Sequence, residues 1–127
     1  MAVEFYQCKK CKKIVEMIQG SSCPTVCCGD EMVLLKANTS DGATEKHVPV
    51  VNLAGHFVDV TIGSALHPME SDHWIQFIEI ETNHGVQRKT LSPGDKPSAV
   101  FALADGDKVL AVYEFCNKHG LWKWEAQ

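Results

Sequence analysis

"KVLAVYEFCNKHG", residues 108–120, begins as one kind of structure and ends as another. Its first eight residues are rich in β-branched, aromatic and small apolar side chains, which suit a pleated, largely buried strand. Cys116 and His119 follow at once, with two residues between them. A strand end therefore presents a thiol and an imidazole together, and the short separation makes joint ligation of one ion geometrically easy.

Outward from this stretch, residues 45 onward have one texture. The runs "HVPVVNL", "HFVDVTI", "HWIQFIEIE" and "AVFAL" are short, apolar or alternating, and bounded by turn residues. The turn signals are Gly55, Gly63, "NHG" at 83–85, "SPGD" at 92–95 and "DGD" at 105–107. Strands punctuated this often, with no long segment of helical period, predict an all-β antiparallel sandwich over residues 37–127 with almost no helix. Trp74, Phe77, Ile78 and Ile80 are expected to fill its core or to shield a metal from water.

Residues 1–36 differ. Five of the six cysteines, at 8, 11, 23, 27 and 28, fall there among few apolar side chains. Such a segment folds only around a staple, which predicts a small metal-nucleated hairpin module. The pattern Cys8-x2-Cys11, fifteen residues, Cys27-Cys28 supplies four sulfurs with the loop lengths of a tetrahedral site for zinc or a single iron. Neighbouring side chains on an extended chain point to opposite faces, so Cys27 and Cys28 share an ion only if the backbone bends. Cys23-x3-Cys27 offers an alternative second pair, in a plain zinc-ribbon arrangement. The polar "KANTSDGAT", residues 36–44, reads as a linker.

Composition excludes several classes. With 16 acidic against 12 basic residues and a net charge of −4, the chain lacks the footprint of a nucleic-acid binder. Lys9, Lys10, Lys12 and Lys13 form the one basic cluster, a solvated rim or a guide for an acidic partner. No run approaches the roughly 20 apolar residues of a membrane span. The first ten residues do not have the pattern of a secretory signal. A cytoplasmic location is the expectation, where clustered cysteines hold metal more often than they form disulfides.

Six histidines occur, at 47, 56, 67, 73, 84 and 119. Four lie in "EKHVPV" (45–50), "HPMESDHW" (67–74) and "CNKHG" (116–120); His56 and His84 read as solvent-facing residues with no task. A lone histidine in a β-protein is usually a surface or satisfied core residue. Four beside a cysteine, each at a loop or strand edge, point to a metal. Pro68 restricts His67 to an extended conformation, which helps aim it.

Together, "EKHVPV", "HPMESDHWI" and "EFCNKHGLW", downstream of a CxxC…CC module, resemble desulfoferrodoxin, the two-iron form of superoxide reductase. The resemblance covers nearly the whole chain. It implies a desulforedoxin-like module at 1–36, with one iron held by Cys8, Cys11, Cys27 and Cys28. It also implies an immunoglobulin-like sandwich at 37–127, with a mononuclear iron held by His47, His67, His73, His119 and an axial Cys116. Five ligands leave a sixth position open for superoxide, which is reduced by one electron and two protons to hydrogen peroxide. Lys46 would attract the anion, and Glu45 would take the open position afterwards and help product leave. The family resemblance further implies a rubredoxin-like electron donor and a homodimer. Members usually carry glycine just after the module's second cysteine, where a left-handed backbone is tolerated; this chain has Lys12.

Two other classes compete. A non-catalytic electron-transfer protein of the blue-copper type uses two histidines, a cysteine and a weak axial methionine, so four histidines argue against it. A zinc-ribbon interaction module would use the lysine-rich knuckle to bind an acidic partner.

Overall fold

The structure is a computed structural model that describes residues 3–39 and 44–127, with Glu45 described by its backbone alone. The chain divides into two compact units, Met1–Lys36 and Ala37–Gln127.

In the first unit the strands are only two or three residues long: β1 (Phe5–Gln7), β2 (Ile14–Glu16), β3 (Val26–Cys27), β4 (Asp30–Glu31) and β5 (Val33–Leu34). They pair as a sheet in the order β2-β1-β5 and a β3-β4 hairpin. Phe5, Cys8 and Met32 are buried, whereas Ile18, Val26, Val33 and Leu34 are exposed. So small an apolar core cannot offset the entropy of ordering the segment.

Its turns are set by the cysteines. Around Cys8 the backbone closes a knuckle through Lys12 N–H to Cys8 O at 3.0 Å and Cys8 N–H to Lys13 O at 2.9 Å. Lys12 adopts φ 68° to complete it, the left-handed conformation for which glycine is the usual residue. Cys28 takes φ 53° and Gly29 φ 81°. These two residues are the bend that an adjacent cysteine pair requires.

The second unit is the antiparallel sandwich. One helical turn, α1 (Thr44–His47), leads into β6 (Pro49–Ala54) and β7 (Phe57–Ile62); then come β8 (Ile75–Thr82), β9 (Gly85–Thr90), β10 (Ser98–Ala102), β11 (Val109–Cys116) and β12 (Gly120–Glu125). One sheet runs β10-β7-β6 and the other β12-β11-β8-β9, all antiparallel. Alternation decides the faces: Val58, Val60, Ile62, Ala99 and Phe101 from the first sheet meet Ile75, Ile78, Ile80, Val109, Val112 and Cys116 from the second.

Three features refine the expectation. Ile78 and Ile80 lie in the core, but Phe77 points to the opposite face of its strand and stacks on Phe115, with centroids 6.1 Å apart; Trp74 is half-buried and precedes the strand. β9 and β12 have no counterpart among the apolar runs; β9 is an edge strand whose residues are mostly exposed and need no apolar side chains, and β12 is the opposite edge, with Leu121 and Trp122 buried. The proposed linker is ordered at Asn38, which exchanges hydrogen bonds with β12: Asn38 N–H to Leu121 O at 2.9 Å and Lys123 N–H to Asn38 Oδ1 at 2.9 Å. Residues 40–43 of that segment lie outside the described residues.

Candidate metal centres

In the first unit the sulfurs of Cys8, Cys11, Cys27 and Cys28 lie within 4.8 Å of one another. Cys11 Sγ is 3.7 Å from Cys27 Sγ, and Cys27 Sγ is 3.9 Å from Cys28 Sγ. The Cys11 N–H donates to Cys8 Sγ at 3.4 Å. That contact, first among several, lowers the Cys8 thiol to about 6, while sharing a proton with Cys11 pushes Cys27 up to about 12. One thiolate thus forms readily, while hydrogen bonds among the sulfurs raise Cys27 and Cys28, the behaviour of thiols gathered for a cation that would displace their protons. Cys23 lies outside this group and is exposed.

The second group collects His47, His67, His73, Cys116 and His119, again within 4.8 Å. Each arrives by a local device. His47 ends α1, whose closing bond runs from Val48 N–H to Thr44 O at 3.0 Å. Gly63 fixes how closely that turn approaches: its φ is +79°, and a Cβ there would stand 2.6 Å from Ala65 O and 2.7 Å from the Lys46 carbonyl. Only glycine allows this approach.

His67 and His73 flank a tight turn in which Glu70 and His73 exchange backbone hydrogen bonds at 2.9 and 3.1 Å. His67 Nδ1 donates to Pro68 O at 2.6 Å, which leaves Nε2 as the free lone pair. At β11 a bulge sets Cys116 opposite Ile75 where an even register would give Gln76, turning the strand end as it meets the cluster. Gly120, at φ +81°, closes the 117–119 turn that carries His119.

The four imidazoles form a ring. Centroids are 4.7 Å apart for His47–His67 and His47–His119, 4.9 Å for His67–His73 and 5.1 Å for His73–His119, with interplanar angles of 73–81°. His47 Nε2 lies 3.1 Å from His67 Nε2 and 3.0 Å from His119 Nδ1. A square with edges of that length has its centre about 2.1 Å from each corner, the bond length of imidazole to a first-row divalent ion. His73 Nε2 is buried with no hydrogen-bond partner, and Cys116 Sγ, fully buried, is 3.9 Å from His119 Nδ1. Converging lone pairs repel unless a cation stands among them. The donor set fits a metal with one position left open.

Burial holds His67 down to about 4 and lowers His73, so both are neutral at pH 7 with lone pairs free. It also raises the Cys116 thiol, which keeps its proton until a cation displaces it. For the metal-free chain the sign follows: a histidine whose folded pKa lies below its unfolded value opposes folding once solvent would protonate it. The contribution of these histidines to stability is expected to be full above about 6.5, the model-compound histidine value, and to be lost progressively as the pH drops to about 4. Thermal unfolding of the chelated protein across this range checks it; a flat melting temperature would contradict the burial argument.

Comparison with known proteins now bears on these two sets. The profile of the family described as Desulfoferrodoxin matches residues 39–125. The chain belongs to the desulfoferrodoxin family. It is 49% identical over 123 residues to a desulfoferrodoxin of Syntrophotalea carbinolica, covering 97% of this chain and 96% of that one. It is 48% identical over the same length, with the same coverage, to one of Nitratidesulfovibrio vulgaris. Among solved structures it matches the superoxide reductase of Treponema pallidum with a TM-score of 0.83 and 34% identity, covering 98% of this chain and 100% of that one. A four-sulfur set in one unit and a set of four imidazoles and a thiol in the other fit the two-iron arrangement of desulfoferrodoxins.

Sequence reasoning passed over Asn117, between the two candidate ligands in "CNKHG". Its Oδ1 accepts the Trp74 N–H at 2.9 Å and its Nδ2 donates to Asp72 O at 3.0 Å, clamping the segment that carries His73. The side chains of His56 and His84 are largely exposed, yet His84 Nδ1 bonds Asp107 Oδ1 at 2.7 Å and joins the β8-β9 turn to the one before β11. His84 therefore has a structural task, and burial alone is not its measure. Among the described residues no helix is long and apolar enough to cross a membrane.

Proposed function

We propose that this desulfoferrodoxin is a superoxide reductase, converting superoxide, one electron and two protons to hydrogen peroxide. The observation that carries the reading is the ring of four imidazoles, each steeply inclined to its two neighbours, with a buried thiol beside it. Bound there, ferrous iron would supply the single electron, and the sulfur of Cys116 would donate electron density to it. His47, His67, His73 and His119 would hold that iron, and Cys8, Cys11, Cys27 and Cys28 a second one. In this reading residues 1–36 are the desulforedoxin-like iron module and residues 37–127 the reductase domain.

Lys46 is exposed on α1 beside His47 and borders, with Leu66, His67 and Lys96, a cleft of about 560 Å³. A fixed positive charge at the mouth of such a cleft raises the encounter rate of a small anion and stabilises charge that develops on it. Glu45 is assigned by family resemblance to the open position after turnover, where it displaces product; its side chain lies outside the described residues. Each cycle consumes an electron, so an external donor is required, one similar to rubredoxin by family resemblance. We place the protein in the cytoplasm as a homodimer, by family resemblance.

Lys46→Ala is expected to keep both irons and to slow the reaction with superoxide about 3- to 10-fold at low ionic strength. The gap should narrow with salt as the Debye length shrinks from about 30 Å at 0.01 M to about 3 Å at 1 M. Pulse radiolysis at several salt concentrations measures it, and an unchanged rate with the same salt dependence would remove Lys46 from the mechanism. The function as a whole is tested by iron quantitation with an anaerobic superoxide assay on a reduced donor. Two irons per chain and donor-dependent consumption support it; zinc or copper alone would sink it.

A further inference from the structure

Trp122 lies on β12, where its register partner is Glu114. It is 3% exposed, yet it is not part of the apolar cluster that fills the sandwich. Its contacts are with the candidate metal centre. The indole stacks on His47, with centroids 4.9 Å apart and planes 20° from parallel, and its Nε1–H donates to the carbonyl of His119 at 3.0 Å. One side chain thus holds two histidines that are distant in sequence and that themselves cross at 80°.

We propose that Trp122 is a positioning residue that sets the ring orientation of His47 and the backbone position of His119, and thereby raises the affinity of the His4Cys centre for iron. This rests on reading that cluster as an iron site. The stack is one-sided in its effect. An imidazole that gives its lone pair to a cation becomes electron-poor, and the electron-rich face of an indole attracts it more strongly than it attracts a free imidazole. The contact therefore favours the metal-bound state over the empty one, and a side chain that only filled space would not. The hydrogen bond fixes the first residue before Gly120, where the turn would otherwise have freedom to tilt the His119 ring.

Two substitutions separate the contacts. Trp122→Phe keeps an aromatic face on His47 and loses the N–H donor; Trp122→Leu loses both. The measurement is competition for ferrous iron between the full-length chain and a colorimetric chelator, with the four-sulfur absorption as the internal control. The metal-free chain is followed in parallel by the ring-current shift of the His47 imidazole resonances. Expected is a loss of affinity at the His4Cys centre of about 10- to 100-fold for leucine, the range for groups that support metal ligands. Phenylalanine should lose about 3- to 10-fold with the His47 resonances still shifted, and neither variant should change the four-sulfur bands.

A leucine variant that folds and binds iron within twofold of the unsubstituted chain overturns the proposal. So does a phenylalanine variant that loses as much as leucine. Should the leucine variant fail to fold, phenylalanine decides alone: an intermediate loss supports the proposal, and unchanged affinity overturns it. An unsubstituted chain that takes up iron only at the four-sulfur site would instead refute the iron-site reading itself, and the inference with it.

Discussion

Replacing Cys116 with serine is expected to abolish superoxide reduction while the sandwich stays folded. The Cys116 sulfur is fully buried at the edge of the apolar core and lies 3.9 Å from His119 Nδ1, so it has no solvent to turn toward, and serine fills nearly the same space. Burial raises its thiol, and only a cation beside it would draw off the proton. A serine hydroxyl in the same position holds its proton far more tightly and is a hard donor, so neither the anionic charge nor the polarizable sulfur is replaced. Loss of a group that merely supports a ligand costs about 10–100-fold; loss of the ligand itself should exceed the upper figure. Superoxide decay in pulse radiolysis, with iron content and the single-thiolate absorption band, measures it. A serine variant that reduced superoxide at the normal rate would refute the role given to the Cys116 thiolate.

The second large effect concerns the other unit. Cys8→Ser is expected to unfold residues 1–36 and leave residues 37–127 folded. Cys8 is the one buried sulfur of its set, with the Cys11 N–H donating to it and the Cys27 carbonyl 3.7 Å away. The unit has little else to hold it, since its strands are two or three residues long and Ile18 is 94% exposed. A structural metal in comparable small modules contributes about 10–16 kcal/mol, as much as the whole net stability of an ordinary domain, about 5–15 kcal/mol. The variant should lose one iron and the four-sulfur bands, and amide exchange should become fast through residue 36. Protected amides in that unit after the substitution would show that its backbone folds without the full sulfur set.

What could be read in advance follows from how local each signal is. A chelating sulfur pair is a matter of a few residues, so Cys8-x2-Cys11 and Cys27-Cys28 were legible, as was the need for a bend at the latter, which appears as φ 53° at Cys28. The core strands were legible because burial on one face forces apolar residues at every second position, as in Phe57–Ile62. β9 was not, because an exposed edge strand is held by its neighbour's backbone, a bond that leaves no mark on side-chain choice. Phe77 was legible as a buried residue but its face was not, because a run such as "WIQFIEIE" is apolar on both sides; the face depends on the register with β11 and its bulge, which set Phe77 opposite Phe115 and Ile75 opposite Cys116.

The sequence by itself determined which side chains are candidates for the chemistry, nine metal ligands and a lysine beside one of them, and an all-β frame, since residue type and spacing are covalent facts. Only the tertiary structure decided how those side chains are held. The glycine under the His47 turn, the Asn117 clamp on the His73 segment and the indole against His47 are contacts between segments distant along the chain. Such contacts exist only once two sheets have packed and fixed their register, so no local pattern announces them.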